Sequence, residues 1–332
     1  MWPGRFIASK RAAVLPEPRQ LLPNPPKGLG DIPGKAYVRC METLFDTVRR
    51  YADAHANPTG IALTPISGLS TVRATAPSPL MHDMSRPLAC LVVQGAKQVT
   101  MGTQQYAFAT GDTLLITADV PTVSQITRAS IASPYYSLVM ELDPAIIAAL
   151  GVEMHALQVS DQTAVKVGPT DAEVSDAALR LMRLLDRPSS RPVLQNQLVR
   201  EMHYWLLAGR HGDAIRRLGM MGSHVERVAR AVAVLRHDFA ETIPVKRLAS
   251  VSGMGMSSFH HHFRAVTSLS PLQFQKHLRL IEARRLMMSE GAPASVAAFK
   301  VGYESVSQFT REYGRLFGLP PVRDVQASHA AA

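Results

Sequence analysis

Two short stretches of this 332-residue chain carry polar side chains at a spacing suited to hydrogen bonding with the edges of nucleic-acid bases. In the stretch 256–267, Ser257, His261 and Arg264 fall on one side of a helix that turns about 100° per residue, with Ser258 and His260 beside them. Met256, Phe259, His262, Phe263 and Val266 fall on the other side and read as core. A helix that is apolar along one stripe and able to hydrogen-bond along the other is what entry into a major groove requires. A second stretch repeats the pattern, turning Ser307, Gln308, Thr310 and Arg311 outward with Arg315 nearby, opposite Phe309, Tyr313 and Leu316. Arg311 suits guanine in particular, because a guanidinium donating two bonds to O6 and N7 is the commonest specific contact.

The elements that must hold these side chains are also legible. Pro244 precedes a short helix with Leu248 and Ala249, and Gly253 supplies a turn before the first polar stretch. Some fifty residues on, Ala298, Gly302 and Tyr303 answer Ala249, Gly253 and Met254, with one extra turn residue, Glu304. Ser305 is the expected N-cap of the second stretch. Short helix, glycine turn and second helix is the grammar of a helix-turn-helix unit. Residues 225–239 add an amphipathic helix through Val228, Ala231, Val232, Leu235 and Phe239. Between the units, Ser270-Pro271-Leu272-Gln273 is a capping box with proline in the first turn. The helix it opens runs to about Ser289, a rod of roughly 28 Å, near the ~34 Å of one duplex turn. The bland alternative is an all-helical repeat bundle with no role on DNA; a basic domain with two matched polar faces argues against it.

Charge is unevenly placed. Residues 1–40 hold 7 Lys/Arg against 2 Asp/Glu, residues 41–223 hold 15 against 16, and residues 224–332 hold 14 against 8. The net +10 therefore sits in a leader and a C-terminal block, and a basic block of domain size suggests a polyanionic partner. Two cysteines, Cys40 and Cys90, cannot build a disulfide framework or a zinc site, which fits a reducing, cytoplasmic setting. No apolar run reaches membrane-spanning length, and no secretory signal follows Arg5, Lys10 and Arg11.

Before that block the chain changes character. Residues 1–35 contain seven prolines and read, with the rest of 1–40, as a disordered leader, or as the product of a start codon set too far upstream, with Met41 the natural start. Leu44, Phe45, Val48 and Tyr51 then lie at helical spacing. Short apolar runs at Leu88 to Val93, Gln98 to Met101, Thr113 to Thr117 and Tyr136 to Leu142 are separated by turn signals at Gln94-Gly95, Gly102 and Gly111-Asp112. Several strands so spaced suggest a small β-barrel or sandwich. Pro144 opens a helix that Gly151 is expected to end, and residues 172–187 and 192–208 read as an amphipathic helical hairpin of the kind that pairs subunits or, more commonly, covers its own barrel. Residues 210–223 read as a linker and 323–332 as a disordered tail.

With RLIEARRLM in the connector and VGYESVSQFTREYGRLFG closing the domain, residues 225–321 resemble the AraC/XylS family of bacterial transcription regulators. The resemblance implies an α+β chain: a cupin-like sensor and dimerisation domain over 41–209, for which REMHYWLLAGRHGDAIRRL is the most characteristic part, and an all-α reading domain of two helix-turn-helix units over 224–322. It implies base contacts at Ser257, His260, His261, Ser307, Gln308 and Arg311, with other polar residues on phosphates. It further implies promoter or operator DNA, a small-molecule effector, a homodimer, RNA polymerase as partner if the regulator activates, and no cofactor, metal or membrane. Two departures stand out. His261 replaces the family's usual arginine, and an imidazole with an ordinary pKa of about 6.5 is only partly charged near neutrality. Pro321 is followed by Val322-Arg323-Asp324 where the family has a tyrosine-arginine pair, a change expected to matter little.

Rival chemistries fare worse on the same residues. His260, His261 and His262 point about 100° apart on a helix and cannot chelate as i, i+4 partners do. A cupin-type metalloenzyme needs two or three histidines and a carboxylate at one point, yet residues 60–150 contain His82 alone. Cys90, flanked by Ala89, Leu91 and Val92, reads as core rather than as a thiol sensor. Arg284-Arg285 could meet phosphate or water alike. An effector pocket is expected inside the barrel, with His82, Arg86, Cys90, Gln94 and Tyr106 as candidates. The remaining alternatives are a dimeric DNA-binding regulator that needs no effector and a non-specific DNA-packaging protein.

Overall fold

A computed structural model describes residues 42–102, 104–154, 164–220 and 222–330. The expected leader and the Met41 start lie outside the described residues.

The chain opens with α1 (Leu44–His55), started by a capping box in which Thr43 and Asp46 satisfy each other's backbone. Val48 and Ala52 are buried, and Leu44, Phe45 and Tyr51 pack on the same core. Ten strands and a helix follow: β1 (Ile61–Leu63), β2 (Leu69–Ala74), β3 (Met81–Ser85), β4 (Leu88–Gln94), β5 (Ala96–Met101), β6 (Gln104–Ala109), β7 (Asp112–Ile116), β8 (Val120–Arg128), β9 (Tyr135–Glu141), α2 (Pro144–Glu153) and β10 (Val165–Pro169). They form two sheets, ordered β1-β2-β9-β4-β7-β10 and β3-β8-β5-β6. The barrel expected from the strand spacing is thus two facing antiparallel sheets that do not close on each other. α2 runs on through Gly151; an isolated glycine weakens a helix by only about 1 kcal/mol, too little to end this one.

Cys90, Val92, Val99, Phe108, Leu114, Ile116, Val120, Ile126 and Tyr135 fill the space between the sheets. The outer face of the larger sheet carries α1 and the hairpin α3 (Ala172–Leu185) and α4 (Arg191–Ala208). Residues 210–223 are not a bare linker. They hold α5 (Gly212–Gly219), which buries Ala214, Ile215 and Leu218 and lies so close to α2 that a Cβ on Gly219 would come 2.4 Å from the Ala148 nitrogen.

The C-terminal half is all helical: α6 (His224–His237), α7 (Val245–Val251), α8 (Met256–Thr267), α9 (Pro271–Glu290), α10 (Ala294–Lys300), α11 (Val306–Phe317) and α12 (Pro321–Ala330). Two aromatic cores divide it. One gathers Phe259, Phe263 and Phe274 around α6, α7 and α8; the other gathers Tyr303, Phe309 and Tyr313 around α9, α10 and α11. The tail expected from residue 323 onward is instead part of α12, held by a buried carboxylate at Asp324.

Candidate nucleic-acid interface and its supports

The two reading helices are built alike. In α8, Phe259 and Phe263 are fully buried at i, i+4, their rings 5.4 Å apart. In α11, Phe309 and Tyr313 occupy the same positions at 5.5 Å. Anchoring each helix by one stripe turns the opposite stripe to solvent. Ser257, Ser258, His260, His261 and Arg264 are exposed on α8, and Ser307, Gln308, Arg311 and Arg315 are exposed on α11, with Thr310 half-buried. His262 is half-buried and stacks on His224 of α6 with ring centroids 3.4 Å apart. Among the described residues, no group of three or more His, Cys, Asp or Glu side chains could hold a metal ion.

Side-chain caps fix where α11 and α9 start, whereas α8 begins at Gly255 without one. Ser305 Oγ accepts from the Gln308 backbone N–H at 3.3 Å. The connecting helix α9 begins at the capping box read from sequence, with Ser270 Oγ accepting from Gln273 N–H and Gln273 Oε1 accepting from Ser270 N–H. Gly302 sits at φ +85°, and a Cβ there would lie 2.0 Å from the Ala240 carbonyl oxygen. That turn admits only glycine.

α9 joins the two units through polar contacts that composition alone does not reveal. Arg279 donates Nε to Phe239 O at 2.7 Å, Nη1 to Gly302 O at 2.9 Å, and Nη2 to Ala240 O at 3.1 Å. One guanidinium thus caps the end of the first unit's opening segment and the turn of the second. Gln275 adds bonds to Phe239 O and Glu241 O. On α11, Glu312 accepts from Lys276 at 2.7 Å, from Tyr303 at 2.8 Å and from Gln308 Nε2 at 3.2 Å. The Gln308 amide is therefore held by a partner on its own helix. Among the described residues Arg311 makes no hydrogen bond or ion pair.

Arg284 and Arg285 are both committed within the protein. Arg284 pairs with Asp324 and lies over the Phe317 ring at 5.1 Å; Arg285 pairs with Glu282 and Glu290. Arg285 is held well above its ordinary pKa by those two carboxylates.

The five residues expected to line an effector pocket are not brought together. Cys90 is buried between the sheets. Gln94 donates to Pro134 O and Tyr106 donates to Gln104 Oε1. His82 meets Phe317 of α11 edge-on, with centroids 5.0 Å apart. Arg86 alone lines a cleft of about 830 Å³, which lies outside the sheets and between the N-terminal half and α6. Its walls include Leu142, Ile146, Val199 and Leu218 on one side and Val228, Val232 and Arg236 on the other. Periodicity could not have found it, because its aliphatic wall residues read as ordinary core and its charged ones as ordinary surface of separate elements.

Known proteins match both halves. A family model described as the AraC-type transcriptional regulator N-terminus matches residues 65–214, and one described as a helix-turn-helix domain matches residues 248–325. Among curated relatives, the RCS-specific HTH-type transcriptional activator RclR of Escherichia coli (strain K12) is 39% identical over 77 residues, covering 23% of this chain and 27% of its own length. The uncharacterized HTH-type transcriptional regulator YobQ of Bacillus subtilis (strain 168) is 28% identical over 91 residues, covering 27% of this chain and 38% of its own. The matched segments thus span well under half of these relatives. In fold, the chain is similar to ToxT from Vibrio cholerae, with a TM-score of 0.54 and 10% identity over 77% of this chain and 97% of that one. The two family models together cover more than half of the residues, one on each half of the fold, and the chain belongs to the AraC/XylS family of transcription regulators.

Proposed function

We propose that the chain is a sequence-specific DNA-binding regulator whose two helix-turn-helix units read adjacent major-groove segments of one promoter or operator. The observation that carries this reading is the matched pair α8 and α11, each pinned by an aromatic pair and each presenting polar side chains to solvent. Ser257, His260, His261, Ser307, Gln308 and Arg311 are the base readers, and Ser258, Arg264, Thr310 and Arg315 serve the flanking backbone. Residues 224–322 form the reading domain and residues 41–209 the sensor. Footprinting of the full chain across its genome tests this: protected sites should share a two-part motif, and protection without any common motif would overturn the reading.

The cleft beside Arg86 and Arg236 is the effector site in this account. Its largely aliphatic walls suit an apolar molecule, and its two guanidinium groups, each paired with a lining carboxylate (Arg86 with Glu141, Arg236 with Asp119), would take an acidic group only by exchanging that partner. A ToxT structure of similar fold was solved with (E)-4-(8-methylnaphthalen-1-yl)but-3-enoic acid bound, which supports testing compounds of that character first. Thermal shifts of the full chain with a panel of organic acids separate this reading from an effector-independent regulator, which predicts no shift with any compound. The exposed Val193, Leu194 and Tyr204 on α4 support a homodimer, activation would require a contact with RNA polymerase, and a regulator of chromosomal DNA works in the cytoplasm. No helix among the described residues is long and apolar enough to cross a membrane.

A further inference from the structure

The sensor meets the reading domain at several points, among them Val225 of α6 against the N-terminal core and Val266 of α8 against the inter-sheet core, and at one short edge strand it reaches both units. β3 (MHDMS) is the outermost strand of the four-stranded sheet. Side chains two apart on a strand share a face, so His82 and Met84 leave β3 on the same side. Met84 is 4% exposed and belongs to the aromatic core of the first unit, with Phe259, Phe263 and Phe274. His82 lies edge-on to Phe317, the last residue of α11, and Phe317 packs on Tyr313 at 4.4 Å within the second unit. Neighbouring positions on one strand therefore touch both units, one at each core.

The strand is itself braced. Arg236, in the last turn of α6, donates Nη2 to the Met84 carbonyl at 2.9 Å and Nε to Asp119 at 2.8 Å. Behind it, Ser85 and Thr122 share a buried hydrogen bond of 2.7 Å that fastens β3 to β8. None of these contacts uses the outward residues of α8 or α11, which stay exposed in the docked arrangement. The contact therefore does not cover the reading faces; what it can do is hold them.

We propose that β3 is a splint that fixes the angle between the two helix-turn-helix units, with Met84 and His82 as positioning residues, so that the sensor sets which spacing of DNA segments the protein accepts. This rests on the DNA-reading function proposed above. The mechanical reason is that the units otherwise meet along one seam, where α9 with Arg279 and the Phe239–Ala240 loop lie against Gly302 and the second core, and a seam confined to one side leaves a hinge about itself. A second pair of contacts, off that seam and carried by one stiff hydrogen-bonded strand, removes the hinge. An effector in the cleft touches this brace directly, because Arg236 and Asp119 both line it.

The test measures affinity of the full chain for a series of duplexes in which the two segments of its footprinted site are held at the natural spacing or moved apart by one or two base pairs. The unaltered chain should prefer the natural spacing by at least about fivefold, the lower end of ordinary coupling between sites. The double variant His82→Ala/Met84→Ser should lose most of that preference and keep its affinity for a duplex holding one segment alone. Because a core methionine is replaced, Asp119→Asn serves as a second variant that loosens the brace without entering either core, and a partial loss is expected there. Retention of the full spacing preference in Asp119→Asn and in a folded His82→Ala/Met84→Ser would overturn the splint. An unaltered chain with no preference for either segment over random DNA would instead overturn the reading of the domain as a sequence-specific one.

Discussion

Arg284 of α9 and Asp324 of α12 form a two-pronged ion pair, Nε to Oδ2 at 2.7 Å and Nη2 to Oδ1 at 3.2 Å, with the carboxylate only 9% exposed. The Tyr313 hydroxyl donates to the same Oδ2 at 2.6 Å. Burial pushes the Asp324 pKa up, but bonds from Arg284 and Tyr313 outweigh it and hold the group below the ordinary carboxylate value. Asp324→Ala leaves a half-buried guanidinium and a buried phenol with no acceptor, and breaking such a pair costs about 3–5 kcal/mol. Urea unfolding of the full chain should show a loss of that order. The exposed neighbour Arg323→Ala should stay within about 0.5 kcal/mol, and equal effects of the two substitutions would contradict this assignment.

Glycine at the two turns should prove unequal. A Cβ at Gly302 collides with the Ala240 carbonyl, whereas at Gly253, φ +59°, its nearest neighbour is Arg227 Nη2 at 3.6 Å. Gly253→Ala should cost roughly the 1–2 kcal/mol of a left-handed alanine. Gly302→Ala should cost more and should also weaken DNA binding through the second unit, since Arg279 holds that turn by the Gly302 carbonyl. Thermal melts of both variants check the order.

His203 makes stability pH-dependent. Its Nε2 accepts from the Asp143 backbone N–H at 2.9 Å, and Nδ1 faces Val199 O at 2.8 Å, so the neutral ring carries its proton on Nδ1. Burial lowers its pKa, against smaller opposing effects of the Val199 carbonyl and Asp143. A lowered folded value means the unfolded chain binds the proton first. The contribution is complete above about pH 6.5, the ordinary value, and is lost as pH falls through the lowered folded value. Melting temperature should therefore drop from pH 7.5 to 5.5 more steeply in the parent than in His203→Gln; parallel slopes would contradict the buried neutral ring.

His261 should be the weak point of the first unit. It is exposed on the outward stripe of α8, and an imidazole offers fewer donors to a groove than the planar guanidinium fork of arginine does. His261→Arg should tighten operator binding by about 1–3 kcal/mol, as read by fluorescence anisotropy. An unchanged affinity would remove His261 from the interface.

The reading helices were legible because both signals are local. A buried aromatic pair at i, i+4 and the polar stripe opposite are set by residues within one element. The strands β4, β5, β7 and β9 were legible for the same reason. β3 was not: MHDMS has no apolar alternation, because both its faces are covered, Met81 packing between the sheets and Met84 and His82 meeting helices of the other half. β8 hid behind Pro121, tolerated because the pairing with β5 ends at Val123 and leaves β8 with a partner on one side only at that point. The helical character of 212–219 was missed because two glycines bracket a segment of only two turns, and those glycines are there for close approach to Leu207 and Ala148. The Asp324 contact, spanning forty residues to Arg284, leaves no periodic trace at all. Sites assembled from separate elements, the cleft included, are invisible to spacing for this reason.

The most direct measurement is the affinity of the full chain and of Arg311→Ala for its footprinted site and for duplexes in which each base pair is replaced in turn. The parent should lose about 1–3 kcal/mol per wrong pair, in two separate segments. Arg311→Ala should bind more weakly by about 1–3 kcal/mol and become indifferent to the base pair at one position of one segment, leaving the other segment's profile intact. A flat profile for the parent, or a loss in Arg311→Ala that is uniform over every sequence, would contradict base reading by the two matched helices.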